Sequence, residues 1–121
     1  MPQGTIDLKQ LIYLIKENTA DMRANLILDE GCTISAEDPK PLIKILNYLI
    51  NYLSALTSHP LEISLDLHPD KYTLGLMAFV ENVDPPPLSE NLQHALEEFK
   101  ATLEKVHEPG RYLLLKVLFN K

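Results

Sequence analysis

Asp38-Pro39-Lys40-Pro41-Leu42-Ile43-Lys44-Ile45-Leu46-Asn47-Tyr48-Leu49-Ile50-Asn51-Tyr52-Leu53-Ser54-Ala55-Leu56 is the stretch on which the fold turns. Leu42, Ile45, Leu46, Leu49, Ile50, Leu53 and Leu56 recur at intervals of three and four, so one face of a long helix over residues 39–57 is continuously apolar. Asp38 is a natural N-cap, and Pro39, whose fixed φ suits a first helical turn, reads as the first helical residue. His59-Pro60 stops it. Immediately afterwards the period changes from 3.6 to 2. Leu61, Ile63, Leu65 and Leu67 alternate with Glu62, Ser64, Asp66 and His68, the pattern of a strand with one buried and one wet face. Pro69-Asp70 supplies a turn, and Tyr72 to Val80 is a second, more uniformly apolar strand. Residues 61–80 therefore read as an antiparallel hairpin, and the long helix is expected to pack on it.

Working outward towards the N-terminus, Ile6, Leu8, Leu11, Ile12, Leu14 and Ile15 predict a first helix within residues 5–23, with Thr5 or Asp7 as cap. Ala24 to Leu28 is a short strand by composition, Asp29 and Gly31 bring turn chemistry, and Cys32 to Ser35 is a possible further strand. Towards the C-terminus, Asp84 followed by Pro85-Pro86-Pro87 ends the sheet segment in an extended linker. Ser89, Leu92, Ala95, Leu96, Phe99, Leu103 and Val106 predict a third helix reaching about residue 107. Acidic Glu90 at its start and Lys105 and His107 near its end match the helix dipole. Pro109-Gly110 breaks it. Residues 111–119 are too short to assign by period, and a buried strand is preferred over a final helix.

With 121 residues the chain is expected to be one domain, and its 45% hydrophobic and 23% charged composition is globular. A net charge of −6, with 11 basic residues scattered along the chain, argues against a nucleic-acid partner. Cys32 is the only cysteine, so no internal disulfide and no cysteine-based zinc site can form. The N-terminal residues lack a signal-peptide pattern and no run reaches 18 apolar residues, so a cytoplasmic protein without a membrane partner is expected.

The order helix, strands, long helix, hairpin, proline-rich loop, helix resembles the ATP-binding domain of histidine kinases and of the related gyrase and heat-shock chaperone ATPases, the Bergerat-type fold. Three local matches carry the resemblance, which runs from Thr5 to about Phe99. Thr5-Ile6-Asp7-Leu8-Lys9-Gln10-Leu11 is similar to the family's first-helix entry. Asp38 with Leu42 to Asn51 is similar to the helix that bears its asparagine box. Phe79-Val80-Glu81-Asn82-Val83 resembles the strand leading into its adenine loop. The implied fold is a two-layer α/β sandwich, a mixed and mostly antiparallel sheet with three helices on one face.

In that family two asparagines four residues apart present Mg²⁺ and the triphosphate with their side chains. Asn47 and Asn51 have this spacing. Matched to the positions that the family's helix buries, however, the apolar register implies that Tyr48 and Tyr52, rather than Asn47 and Asn51, stand at the nucleotide-facing positions, and a bulky, neutral phenol is a poor ligand for a hard cation. Glu81-Asn82-Val83-Asp84-Pro85 stands where the family has its acid and glycines, and valine and proline restrict the φ values that glycine supplies. The chain's four glycines, Gly4, Gly31, Gly75 and Gly110, cannot make a glycine-rich phosphate cradle or a second glycine box, and a lid segment is missing. The resemblance thus implies a vestigial pocket bordered by Asn47, Tyr48, Asn51, Tyr52, Glu81 and Asn82. The expectation is a pseudokinase-like module with no cofactor and no bound metal, acting on a signalling protein or on itself as a homodimer. The alternative is an active ATP- and Mg²⁺-dependent kinase or ATPase using Asn47, Asn51 and Glu81.

Other chemistries have weaker support. His59, His68, His94 and His107 lack metal-ligand spacing. His94 resembles solvated helix surface more than a phosphoacceptor. No serine sits in a Gly-x-Ser-x-Gly turn, Cys32 has no neighbouring base, and the pairs Glu37-Asp38 and Glu97-Glu98 read as cap and surface acids.

Overall fold

A computed structural model describes residues 4–18, 23–81 and 84–121. Along the chain it contains β1 (Thr5–Asp7), α1 (Leu8–Asn18), β2 (Ala24–Leu28), β3 (Thr33–Ser35), α2 (Lys40–Ser54), β4 (Leu61–Leu67), β5 (Lys71–Phe79), α3 (Leu92–Glu97), β6 (Ala101–Glu108) and β7 (Tyr112–Asn120). β1 and β3 form a small antiparallel ladder, and the main sheet has the order β2-β4-β5-β7-β6. Among the described residues only the β2–β4 pair is parallel. The mixed, mostly antiparallel sheet expected from the sequence is therefore present.

Period-2 burial defines the layers. Leu61, Ile63 and Leu65 of β4, Leu74, Leu76 and Ala78 of β5, and Leu113, Leu115, Val117 and Phe119 of β7 are buried. They join one apolar cluster with Leu8, Leu11, Ile12 and Ile15 of α1, with the α2 stripe, and with Leu92 and Leu96 of α3. Intervening residues such as Glu62, Thr73, Met77, Leu114 and Lys116 are half-buried on the opposite, uncovered face.

α2 buries Leu42, Ile45, Leu46, Leu49, Ile50 and Leu53, in the register read from the sequence. Its start is one residue later than expected. Pro39 sits just outside the helix, Lys40 is its first residue, and Asp38 Oδ1 accepts the Lys40 N–H at 3.0 Å. The 61–80 hairpin forms as expected, with Ile63 opposite Leu76 and Leu65 opposite Leu74, and residues 112–120 are a strand.

Two elements differ from the sequence expectation. Thr5–Asp7 is a strand rather than helix, because pairing Ile6 with Ile34 buries both side chains. α1 follows it, with Asp7 Oδ1 accepting the Lys9 and Gln10 N–H groups at 3.0 and 3.4 Å as its cap. Residues 19–22 of the expected first helix lie outside the described residues. The third helix stops at Glu97 instead of about residue 107. Lys100 adopts φ 54°, a left-handed turn that no helix can pass through. Ala101–Glu108 then pairs along β7, with Ala101 opposite Phe119 and Leu103 opposite Val117. Leu103 and Val106 fit a helical spacing, but the open edge of β7 offers a full backbone ladder that an isolated helical turn cannot match.

Candidate functional site

α2 places Tyr48 and Tyr52 one turn apart, adjacent to its buried stripe, with ring centroids 6.4 Å apart and planes tilted by 39°. Both hydroxyls reach the proline-rich segment that leaves the sheet after β5. Tyr48 Oη accepts the Ser89 N–H at 2.8 Å. The Tyr52 hydroxyl donates to the Pro86 carbonyl in a short hydrogen bond. Pro85, Pro86 and Pro87 have no N–H with which to close a turn of their own, and the Tyr52 hydroxyl ties the segment to α2 through the Pro86 carbonyl. Burial pushes the Tyr52 phenol above its ordinary value, and the neighbouring Tyr48 adds to the shift. Tyr52 is thus held as a neutral donor.

The asparagines lie differently. Asn47 is half-buried and Asn51 is exposed, flanking the tyrosine pair rather than replacing it. Glu81 is exposed just beyond buried Val80, whose N–H is held by the Arg111 carbonyl at 3.2 Å. Asn82, the sixth residue singled out from the sequence, lies outside the described residues. The structure therefore brings together Tyr48, Tyr52 and the 86–89 backbone.

Cavities open elsewhere. One of about 290 Å³ is lined by Ser35, Tyr72, Lys100 and Lys121 among others, and the Lys121 ammonium stands 4.8 Å from the Tyr72 ring centroid. A second, of about 340 Å³, lies between Glu37, Asp38, Pro41, Glu98 and Phe99. Cys32 is fully buried, and burial, followed by the nearby Asp29 charge, holds its thiol above the usual value. It is a packing residue, not a nucleophile. Among the described residues no group of three or more His, Cys, Asp or Glu is arranged to hold a metal ion. His94 and Glu97 make an exposed 3.6 Å pair on α3.

The hydroxyl bridges to residues 86–89 were not legible in the sequence. The available signal was the run of three prolines, which lack the N–H groups that would close a turn of their own, together with two tyrosines one turn apart on the long helix.

This arrangement of a helical layer on a five-stranded sheet, with the long α2 feeding the β4–β5 hairpin, is the fold of histidine kinase ATP-binding domains. The E. coli osmosensor EnvZ histidine kinase domain superimposes with a TM-score of 0.77 at 11% identity, over 99% of this chain and 89% of that one. The mycobacterial sensor histidine kinase MprB gives 0.75 at 8% identity, over 98% and 97%. Full-length ShkA, solved in complex with AMPPNP, gives 0.76 at 10% identity, over 98% of this chain and 31% of that one. No protein-family model and no curated protein matches the sequence. At these identities the likeness establishes the fold.

Proposed function

We propose that this chain is a nucleotide-free relative of the histidine kinase ATP-binding domain that works as a regulatory or scaffolding interaction module in signalling. The observation that carries this reading is the pair of tyrosine bridges. On the face where the resemblance would put nucleotide-facing asparagines, two phenols each make a hydrogen bond to the chain's own backbone, holding residues 86–89 against α2. A magnesium nucleotide fits these residues poorly. Phenols are weak ligands for a hard cation, Glu81 is a solvated acid, and the segment 84–87 has prolines where close backbone approach to a ligand calls for glycine.

The second reading is an ATP-dependent enzyme using Asn47, Asn51 and Glu81. It is favoured by the shared fold with a kinase that was solved with AMPPNP and by Asn51 standing free on the helix surface. Thermal unfolding in a titration with Mg²⁺-ATP separates the two. A ligand at a hundred times its dissociation constant adds about 2.7 kcal/mol of stability. The interaction-module reading expects an unchanged melting temperature at millimolar nucleotide. A clear, saturating rise would overturn it in favour of the enzyme.

A further inference from the structure

The two edges of the main sheet are unlike each other. β6 carries Glu104 and Lys105 at its centre, charges of the kind that keep a sheet edge from pairing. β2, the opposite edge, reads Ala24-Asn25-Leu26-Ile27-Leu28, with no charge and no proline, and Ile27 is 73% exposed. Hydrogen bonds at its ends fix which backbone groups face outward. The Arg23 carbonyl accepts the Leu61 N–H at 3.0 Å and the Asp29 N–H donates to the Leu65 carbonyl at 2.9 Å. Odd-numbered residues are therefore turned to β4, and by alternation the N–H and C=O of Ala24, Leu26 and Leu28 point away from the sheet.

We propose that β2 is a homodimer interface, in which two copies pair β2 with β2 antiparallel about a two-fold axis at Leu26, joining their sheets into one. In that register Leu26 meets Leu26, and Ala24 meets Leu28 twice, each pair exchanging two backbone hydrogen bonds. The axis is normal to the sheet, so both helical layers stay on one side. Ala24, Leu26 and Leu28, which are only partly buried against the core, complete their burial against the same residues of the other copy.

Charge selects this register. With Leu26 on the axis, Arg23 of each copy lies opposite Asp29 of the other. Centring on Asn25 instead sets Arg23 against Ile27, and centring on Ile27 sets Asp29 against Asn25. Both charged side chains have capacity to spare. Arg23 Nη2 binds the Ser58 carbonyl, leaving other guanidinium donors, and Asp29 uses Oδ2 on the Leu67 N–H at 3.0 Å, leaving Oδ1. The inference deepens the interaction-module reading by naming a second copy as the partner. It does not depend on whether nucleotide binds.

Sedimentation equilibrium of the wild-type chain and of two charge reversals tests it. Wild type should approach twice the monomer mass as concentration rises. Arg23→Glu and Asp29→Lys each convert two attractions into two repulsions and should weaken the dimer roughly ten- to a hundredfold. Mixing the two variants restores opposite charges at both ends of the strand pair, so the mixture should dimerise where neither variant does alone. Should Asp29→Lys fail to fold, an Asn25→Cys/Ile27→Cys chain decides the matter. These positions face each other at the closely spaced, non-hydrogen-bonded sites and should oxidise to a covalent dimer. A wild-type chain that stays monomeric at its solubility limit overturns the proposal, whether the edge is bare or taken by an extended segment of another protein. A dimer indifferent to both reversals, or one not restored on mixing, also overturns it. A nucleotide-induced rise in melting temperature would refute only the nucleotide-free reading.

Discussion

At the scale of single residues, Tyr48 and Tyr52 decide how the candidate site behaves. Replacing either by phenylalanine keeps the ring and removes one hydroxyl bond to the 86–89 backbone. Each change is expected to cost about 1 kcal/mol, the usual net worth of such a bond, measured by urea denaturation. Tyr52 adds a pH signature. Its phenol is shifted up in the folded chain, chiefly by burial, so the neutral form is the one the fold favours. Its contribution is fully present below the unfolded tyrosine value near 10 and is lost as pH rises through the higher folded value. Tyr52→Phe should therefore lose less stability than wild type between neutral and strongly alkaline pH. An identical alkaline loss in the two proteins would remove Tyr52 from the account. Gly4 is a second residue-scale test. Its φ is +78°, and an added Cβ would stand 2.9 Å from the Ala36 carbonyl oxygen and 3.0 Å from Glu37 Cα. Because both neighbours are backbone, Gly4→Ala should destabilise by more than the roughly 1–2 kcal/mol of left-handed strain alone, read as a drop in the denaturation midpoint.

At the scale of elements, Lys100 determines where α3 ends and β6 begins. Its left-handed φ of 54° is unfavourable for a side chain with a Cβ. Its backbone is nevertheless fixed, the N–H on the Glu97 carbonyl at 3.0 Å and the carbonyl accepting from both the Asn120 N–H and Nδ2 at 3.2 Å. Lys100→Gly relieves the strain and keeps those bonds, and should raise unfolding stability by about 0.5–1 kcal/mol after glycine's larger unfolded-state entropy is set against it. A decrease would mean that the side chain of Lys100 contributes more than its backbone strain costs. The same junction shows where sequence reading reaches its limit. α2 and the β4–β5 hairpin were legible because each satisfies one period over many residues, and the apolar register of α2 also identified which side chains stand beside the buried stripe. β6 was not legible. Leu103 and Val106 satisfy helical spacing, Ala101 and Leu103 satisfy strand spacing, and only the presence of β7 alongside decides between them. β1 was hidden for the same reason, since its partner Thr33–Ser35 lies far along the chain. At the site, the tyrosine positions could be read from the helix, but their bonds to residues 86–89 depend on where a proline-rich segment passes in space.

At the scale of the whole molecule, apolar burial outweighs charge in holding the fold. Among the described residues no polar or charged residue is buried as a whole, and the ion pairs Lys9–Glu30 and Glu108–Arg111, at 3.3 and 3.4 Å, each include a largely exposed partner. Pairs of this kind contribute about 0–1 kcal/mol each, and salt weakens them. Salt also screens the self-repulsion that accompanies a net charge of −6, so the two effects oppose. The core, by contrast, is one cluster that runs from Ile6 to Phe119 and takes buried residues from every helix and from strands β1, β3, β4, β5, β6 and β7. No helix can leave without exposing the sheet beneath it. Urea unfolding should then be a single transition, coincident by backbone dichroism and tyrosine fluorescence, with a midpoint that moves by less than about 1 kcal/mol equivalent between low and moderate sodium chloride. The proposed β2 pairing behaves in the opposite way, because its register rests on Arg23 facing Asp29 at an exposed edge, and it should weaken over the same salt range. Measuring both quantities on one preparation separates what folds the chain from what pairs it. A folding midpoint that fell steeply with salt would show that surface charge, not the apolar cluster, carries the stability.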